Sequence, residues 1–289
     1  MQTEELEILE LTSDTIFKTF MMSPNTNTLK ARLIHLVTGI DEELLLKAEY
    51  QSIELPVKKK KDKVYKTDIV VKVEKHFLNI EMNADYYPTF QIKNSEYIHV
   101  IASELFEKGE KYDNRFVIQI NIDDFDAYDL DELIYEFRLM EVKYHILEDE
   151  NYASYHINLS KIKNLCYTNN ENKELVNILK LFKVTNEEEL DSLRGEEYMD
   201  EAIFEIKRIC RDKNIIGLYD AEKVAKKEMN SRLEYAKQLG YDEGHDKGFE
   251  EGIQKNKTEM ITQMLKAGLS EETIMRITNL TQAELNEFK

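Results

Sequence analysis

The chain has 289 residues, 42 % of them hydrophobic, and a formal net charge of -18. That is enough apolar material for a sizeable core, and the acidity excludes a protein whose whole surface holds nucleic acid, because phosphate contacts are made by Lys and Arg. No apolar run approaches the eighteen or so residues of a membrane span, and MQTEELEILE carries acids where a leader needs Lys or Arg, so a cytoplasmic protein without a membrane partner is expected.

In chain order, Ser13 or Thr12 caps a helix beginning near Asp14, with Phe17, Phe20 and Met21 on one face. Leu29, Leu33, Ile34 and Val37 mark a second helix that stops at Gly39. Residues 50–57, 64–73 and 76–83 read as three successive strands, rich in β-branched and aromatic residues. The run KKKKDK at Lys58–Lys63 lies between the first two, as a solvated hairpin tip or a phosphate contact. A helix follows over about 90–108, with Tyr97 on its apolar stripe as a core residue, and FVIQINI at 116–122 reads as a buried strand.

Residues 131–146 hold one or two further strands, and 171–236 is helical, LVNILKLF and EAIFEIKRI showing clear apolar faces. Cys166 and Cys210 sit among apolar neighbours and read as reduced, buried thiols. Gly240, Gly244, Gly248 and Gly252 recur every four residues, as a stripe for close helix approach or as a frayed connector. Beyond them, Gly268 stops a helix, Ser270 caps the next, Asn279 stops it, and Thr281 with Glu284 form a capping box. This last module suits packing or association better than a DNA groove, since its final helix carries Glu284 and Glu287.

The order is helix, three strands, helix, strand, an α/β core with one acid on each of two neighbouring strands: Asp68 opens DIVVKV and Glu81 closes FLNIEMN. Opposed on an antiparallel pair, two carboxylates would repel unless one kept its proton or a hard cation such as Mg²⁺ lay between them. An ion there lowers the pKa of a bound water and neutralises charge on a phosphodiester. Most of the excess acid lies elsewhere: residues 1–124 hold 16 basic and 22 acidic residues, a net of -6, leaving -12 for the rest.

The SDTIFKTFM helix, the strands DIVV and NIEMN, the Tyr-bearing helix, the segment LFEKGEKYDNRFVIQINIDDF and the glycine-interrupted tail together resemble the PD-(D/E)XK nuclease family transposases, also called recombination-promoting nucleases. The resemblance spans nearly the whole chain and is most specific in 12–22, 67–83 and 105–125. It implies a restriction-endonuclease-like core over 1–147, followed by a helical extension over 148–236 and a glycine-interrupted helix with a small helical module over 237–289. It implies metal-dependent cleavage of DNA with Mg²⁺ or Mn²⁺. Carried over by position, Asp68 is the motif aspartate, Glu81 the glutamate of E-x-Q/K, and Asn83 stands where the family usually has Gln and the wider superfamily Lys. Asn is a methylene shorter than Gln, so Lys72, four residues after Asp68, or Lys93 on the next helix is a candidate for the missing cation. Asp14 in D-x-x-F-K is a further metal-ligand candidate, or a helix-start acid paired with Lys18.

The expected activity is endonucleolytic, with DNA as partner and self-association through the C-terminal helices. The alternative is an inactive nuclease-fold protein that serves as a binding or regulatory module, which Asn83 and the net charge favour. A purely structural helical adaptor leaves Asp68 and Glu81 unexplained.

Overall fold

A computed structural model describes residues 6–52, 54–55, 65–104, 115–162 and 173–288. The KKKKDK run, Cys166 and most of the 105–115 segment lie outside these residues.

Ser13 caps α1 (Asp14–Met22) by accepting the Ile16 N–H, and α1 buries Ile16, Phe17, Phe20 and Met21. A single 3-10 turn leads to α2 (Asn27–Thr38), which ends at Gly39 in the left-handed region, φ +75, where a residue without Cβ is favoured. After α3 (Glu42–Leu45) come β1 (Glu49–Gln51), β2 (Glu54–Leu55), β3 (Tyr65–Lys66), β4 (Ile69–Val73) and β5 (His76–Asn83). Two of the three expected strands are therefore split. β2 and β3 form a small ladder of their own, while β1 and β4 join the main sheet. The break before β4 falls at Asp68, whose backbone N–H is taken by a side chain, the Glu81 carboxylate.

Helix α4 (Phe90–Glu104) carries the chain over to β6 (Phe116–Asp123), which runs parallel to β5, as a crossover connection requires. β7 (Ile134–Met140) falls within the segment expected to hold strands, and β8 (Leu147–Asn158) follows by a hairpin. β8 was expected to be helical. Ala153, Tyr155 and Ile157 alternate inward and pair parallel to β6, but the acids at 148–150 break the alternation at the strand's beginning. The main sheet has the order β1-β4-β5-β6-β8-β7.

The two faces of this sheet differ in chemistry. On one, Ile69, Val71, Leu78, Ile80, Ile118, Ile120, Ile122 and Ile157 join α1, α2 and three later helices, α5 (Lys173–Lys180), α6 (Glu187–Asp191) and α7 (Glu197–Ile209), in one hydrophobic cluster. On the other, β5 presents Asn79, Glu81 and Asn83, β6 presents Gln119, Asn121 and Asp123, and β8 presents Ser154, His156 and Asn158, in matching register. All but Ser154 of these nine are buried. Helix α4 lies over this polar face: Lys93 reaches Glu81, the Phe90 ring meets that of His156, and Ile101 and Ala102 pack on Val117.

The chain divides into two compact units, residues 1–222 and 223–289. The expected boundary at 147/148 thus falls inside the first unit, at the start of a sheet strand, and the one at 236/237 falls inside α8 (Lys213–Lys266). α8 is helical through all four recurring glycines, and among the described residues nothing beyond the adjoining residues and the helix's own backbone lies within 4 Å of where a methyl would sit on any of them. In the second unit, Ile261 of α8 packs with Ile274 of α9 (Glu271–Thr278), Leu280, and Leu285 of α10 (Gln282–Asn286). The Ser270 cap, the left-handed Asn279 and the Thr281–Glu284 capping box are all present. Among the described residues no helix is long and apolar enough to cross a membrane.

Candidate active site

The hairpin of β4 and β5 turns through Glu74, which has φ +48, and its register pairs Ile69 with Ile80, so Asp68 lies opposite Glu81. The two acids are joined directly: the Asp68 N–H donates to Glu81 Oε1 at 3.2 Å, and the Met82 N–H donates to Asp68 Oδ2 at 2.9 Å. Asn79 Nδ2 donates to the same Glu81 oxygen at 3.2 Å. A carboxylate held by backbone N–H groups has one orientation, which is what a ligand-binding acid needs.

Both carboxyls titrate above their ordinary range. Burial is the main cause for each; at Glu81, which is 1 % exposed, the Asp68 charge adds to it and the carboxyl is pushed up to about 7, although Lys93 and two hydrogen bonds pull it back. At Asp68 burial outweighs the opposing pull of Lys18 and of the Met82 N–H. Two ammonium groups balance the pair. Lys18 Nζ lies 3.2 Å from Asp68 Oδ1, and Lys93 Nζ lies 3.2 Å from Glu81 Oε2 and 5.1 Å from the centre of the Tyr97 ring. Burial alone would lower both lysines, but the Asp14 hydrogen bond with the Asp68 and Asp14 charges for Lys18, and the Glu81 charge foremost for Lys93, leave them raised.

The other expected site residues are placed differently. Asp14 holds Lys18 at 2.6 Å and its side chain is 60 % exposed, so it meets the acid pair through that lysine. Lys72 forms no ion pair with Asp68 or Glu81, and its ammonium stands 6.0 Å over the Phe77 ring. Lys93 is the candidate cation that the geometry brings to the acids. Asn83 is buried beside them in sequence, but its Nδ2 donates across to Asp123 Oδ1 at 2.8 Å on the next strand. Asp123 in turn meets His156 Nδ1 at 2.7 Å. Sequence reasoning missed both partners, although QINID and SYHIN repeat the polar–apolar alternation of NIEMN.

Among the described residues no group of three or more His, Cys, Asp or Glu is arranged to hold a metal ion. The donor chemistry of the pair nonetheless fits a hard divalent cation: two buried carboxylates of raised pKa, at present balanced by ammonium groups, gain from a cation that keeps several waters of its own.

Compared with known proteins, residues 11–236 match the profile of the PD-(D/E)XK nuclease family transposase. The chain belongs to this family. The mixed α/β sheet and the long helical C-terminal part are those of a PD-(D/E)XK nuclease fold, and nucleases of this kind generally use divalent metals. No curated protein and no solved structure matches the chain.

Proposed function

We propose that this PD-(D/E)XK family member is a divalent-metal-dependent DNA endonuclease that hydrolyses phosphodiester bonds. The observation that carries the reading is the Asp68–Glu81 pair itself, buried, hydrogen-bonded and raised in pKa on a hairpin within the span that matches the family. Asp68 and Glu81 would hold the ion, Mg²⁺ or Mn²⁺. When bound, it supplies a water of lowered pKa and neutralises phosphate charge.

The chain's own residues do the rest. Lys93 brings a positive charge to the acid pair, where a superfamily lysine at the third motif position would act, and stabilises the charge that develops on phosphate oxygens. Lys18 does the same on the Asp68 side. Asn83 contacts the attacking water, and the Met82 and Asp68 N–H bonds keep both carboxylates from turning.

A second reading, an inactive nuclease-fold protein that binds or regulates a partner, is favoured by one observation: the Asn83 amide nitrogen is engaged by Asp123. Calorimetry with Mg²⁺ and Mn²⁺ on the wild type and Asp68→Ala, followed by cleavage of supercoiled DNA, separates the two. Metal binding lost in the variant, together with metal-dependent nicking or linearisation by the wild type, supports the enzyme; absence of binding even with DNA present supports the regulator. The C-terminal helices are also proposed as a self-association element, since Met229, Leu233, Phe249 and Ile253 of α8 are exposed.

A further inference from the structure

The partners of Asn83 belong to a directed chain of hydrogen bonds across three parallel strands. Asn121 Nδ2 lies 3.1 Å from the Tyr155 carbonyl, an oxygen that only accepts, and this sets the orientation of the Asn121 amide, whose Oδ1 then accepts from Gln119 Nε2 at 2.9 Å. The same Nδ2 faces Ser154 Oγ at 3.3 Å and His156 Nε2 at 3.2 Å. An amide NH₂ offers no lone pair, so Nε2 accepts and the His156 proton sits on Nδ1. Nδ1 donates to Asp123 Oδ2, and the other oxygen of Asp123 accepts from Asn83 Nδ2. Both oxygens of Asp123 and both ring nitrogens of His156 are thereby engaged.

With Asp123 Oδ1 accepting from Asn83 Nδ2, the carbonyl is the end of that amide left for a water. We propose that Asp123 and His156 are positioning residues that lock Asn83 with its carbonyl as the working end, so that it accepts a hydrogen bond from the attacking water. The donor function that Lys has at this position passes to Lys93. The catalytic part of this inference rests on the endonuclease reading; the lock does not. His156 is held in turn by the rings of Phe90, Tyr128 and Phe137, whose centres lie 6.3, 5.3 and 5.5 Å from its own, all edge-on. Such a setting restricts ring rotation and keeps Nδ1 on Asp123.

The test uses the full-length ¹⁵N-labelled protein and reads the side-chain NH₂ resonances of Asn83, identified by their loss in Asn83→Asp. In His156→Ala and Asp123→Asn these resonances should shift and exchange faster with solvent. In DNA cleavage kcat should fall about ten- to a hundredfold, as for other groups that orient a site from behind, with KM and Mn²⁺ affinity unchanged. His156→Asn, whose Nδ2 comes where Nδ1 stood, should restore both readouts, and the backbone spectrum of each variant reports its fold. Resonances of Asn83 that stay put in both variants overturn the lock. Freed resonances with wild-type kcat overturn its role in positioning. A wild type that cuts no DNA with any divalent ion overturns the endonuclease reading separately, and the resonances then support or overturn the lock by themselves.

Discussion

Glu81→Gln is expected to make the metal-free protein more stable at pH 8, because the native fold holds this carboxylate in a place that disfavours its charge. The carboxyl is raised from its ordinary 4.5 to about 7 by burial first and by Asp68 second. The sign follows from proton linkage: between these pH values the native state keeps a proton that the unfolded chain has released, so stability falls as pH rises through this window and levels off above it. Below pH 4.5 both states are protonated and the effect vanishes. At about 1.4 kcal/mol for each pH unit, the full penalty above pH 7 is about 3 kcal/mol. Gln mimics the neutral carboxyl and removes that penalty. Urea unfolding of wild type and variant at pH 5, 6, 7 and 8, without divalent ions, should show a gap that is small at pH 5 and opens to about 3 kcal/mol at pH 8. Saturating Mn²⁺ should then raise the wild type alone, by about 2.7 kcal/mol at a hundred times the dissociation constant. A variant less stable than wild type at pH 8 would refute the reasoning, since Lys93 would then more than offset the desolvation of Glu81.

Asp68→Ala or Glu81→Ala should abolish metal-dependent cleavage while circular dichroism and cooperative unfolding are kept; cleavage retained by either variant removes it from the site. Lys93→Ala should lower kcat by about 10²- to 10³-fold, the scale on which removed transition-state donors are felt, whereas Lys72→Ala should leave it nearly unchanged. The opposite ranking would return the role of the missing cation to Lys72. Light scattering should report an oligomer for the full chain and a monomer for residues 1–236; a monomer in both cases counts against self-association through the tail. Ser13→Ala removes the cap of α1 and should lower stability by about 1 kcal/mol, checked by thermal melts.

Asp68 and Glu81 were legible because β-branched runs flank them and one hairpin sets their register, a local relation over thirteen residues. The caps at Ser13, Gly39, Ser270 and Thr281 were legible for the same reason: each is a rule about three or four neighbours. Lys72 shares the face of the acids without standing beside them: four residues of strand span about 13 Å, farther than a lysine side chain folds back, and its ammonium stands over Phe77. Lys93 arrives from a helix that crosses the sheet, and no spacing rule encodes that approach. FVIQINI read as a buried strand, which holds from Val117 onward and hides that Gln119, Asn121 and the following Asp123 all face the same side as Glu81. His156 was out of reach because β8 opens with LEDEN and shows its alternation only from Ala153 onward.

The hydrogen bonds of the site differ in how much chain they enclose, and this orders their formation in time. Asp68 and Glu81 meet across a tight hairpin, a microsecond event, whereas Asn83 reaches Asp123 over 40 residues and Asp123 reaches His156 over 33. During refolding or synthesis the two carboxylates therefore come together before the amide beside them is held in place. A chain that ends before residue 156 has the acid pair without the histidine that braces Asp123, so recovery of cutting should lag behind recovery of metal binding.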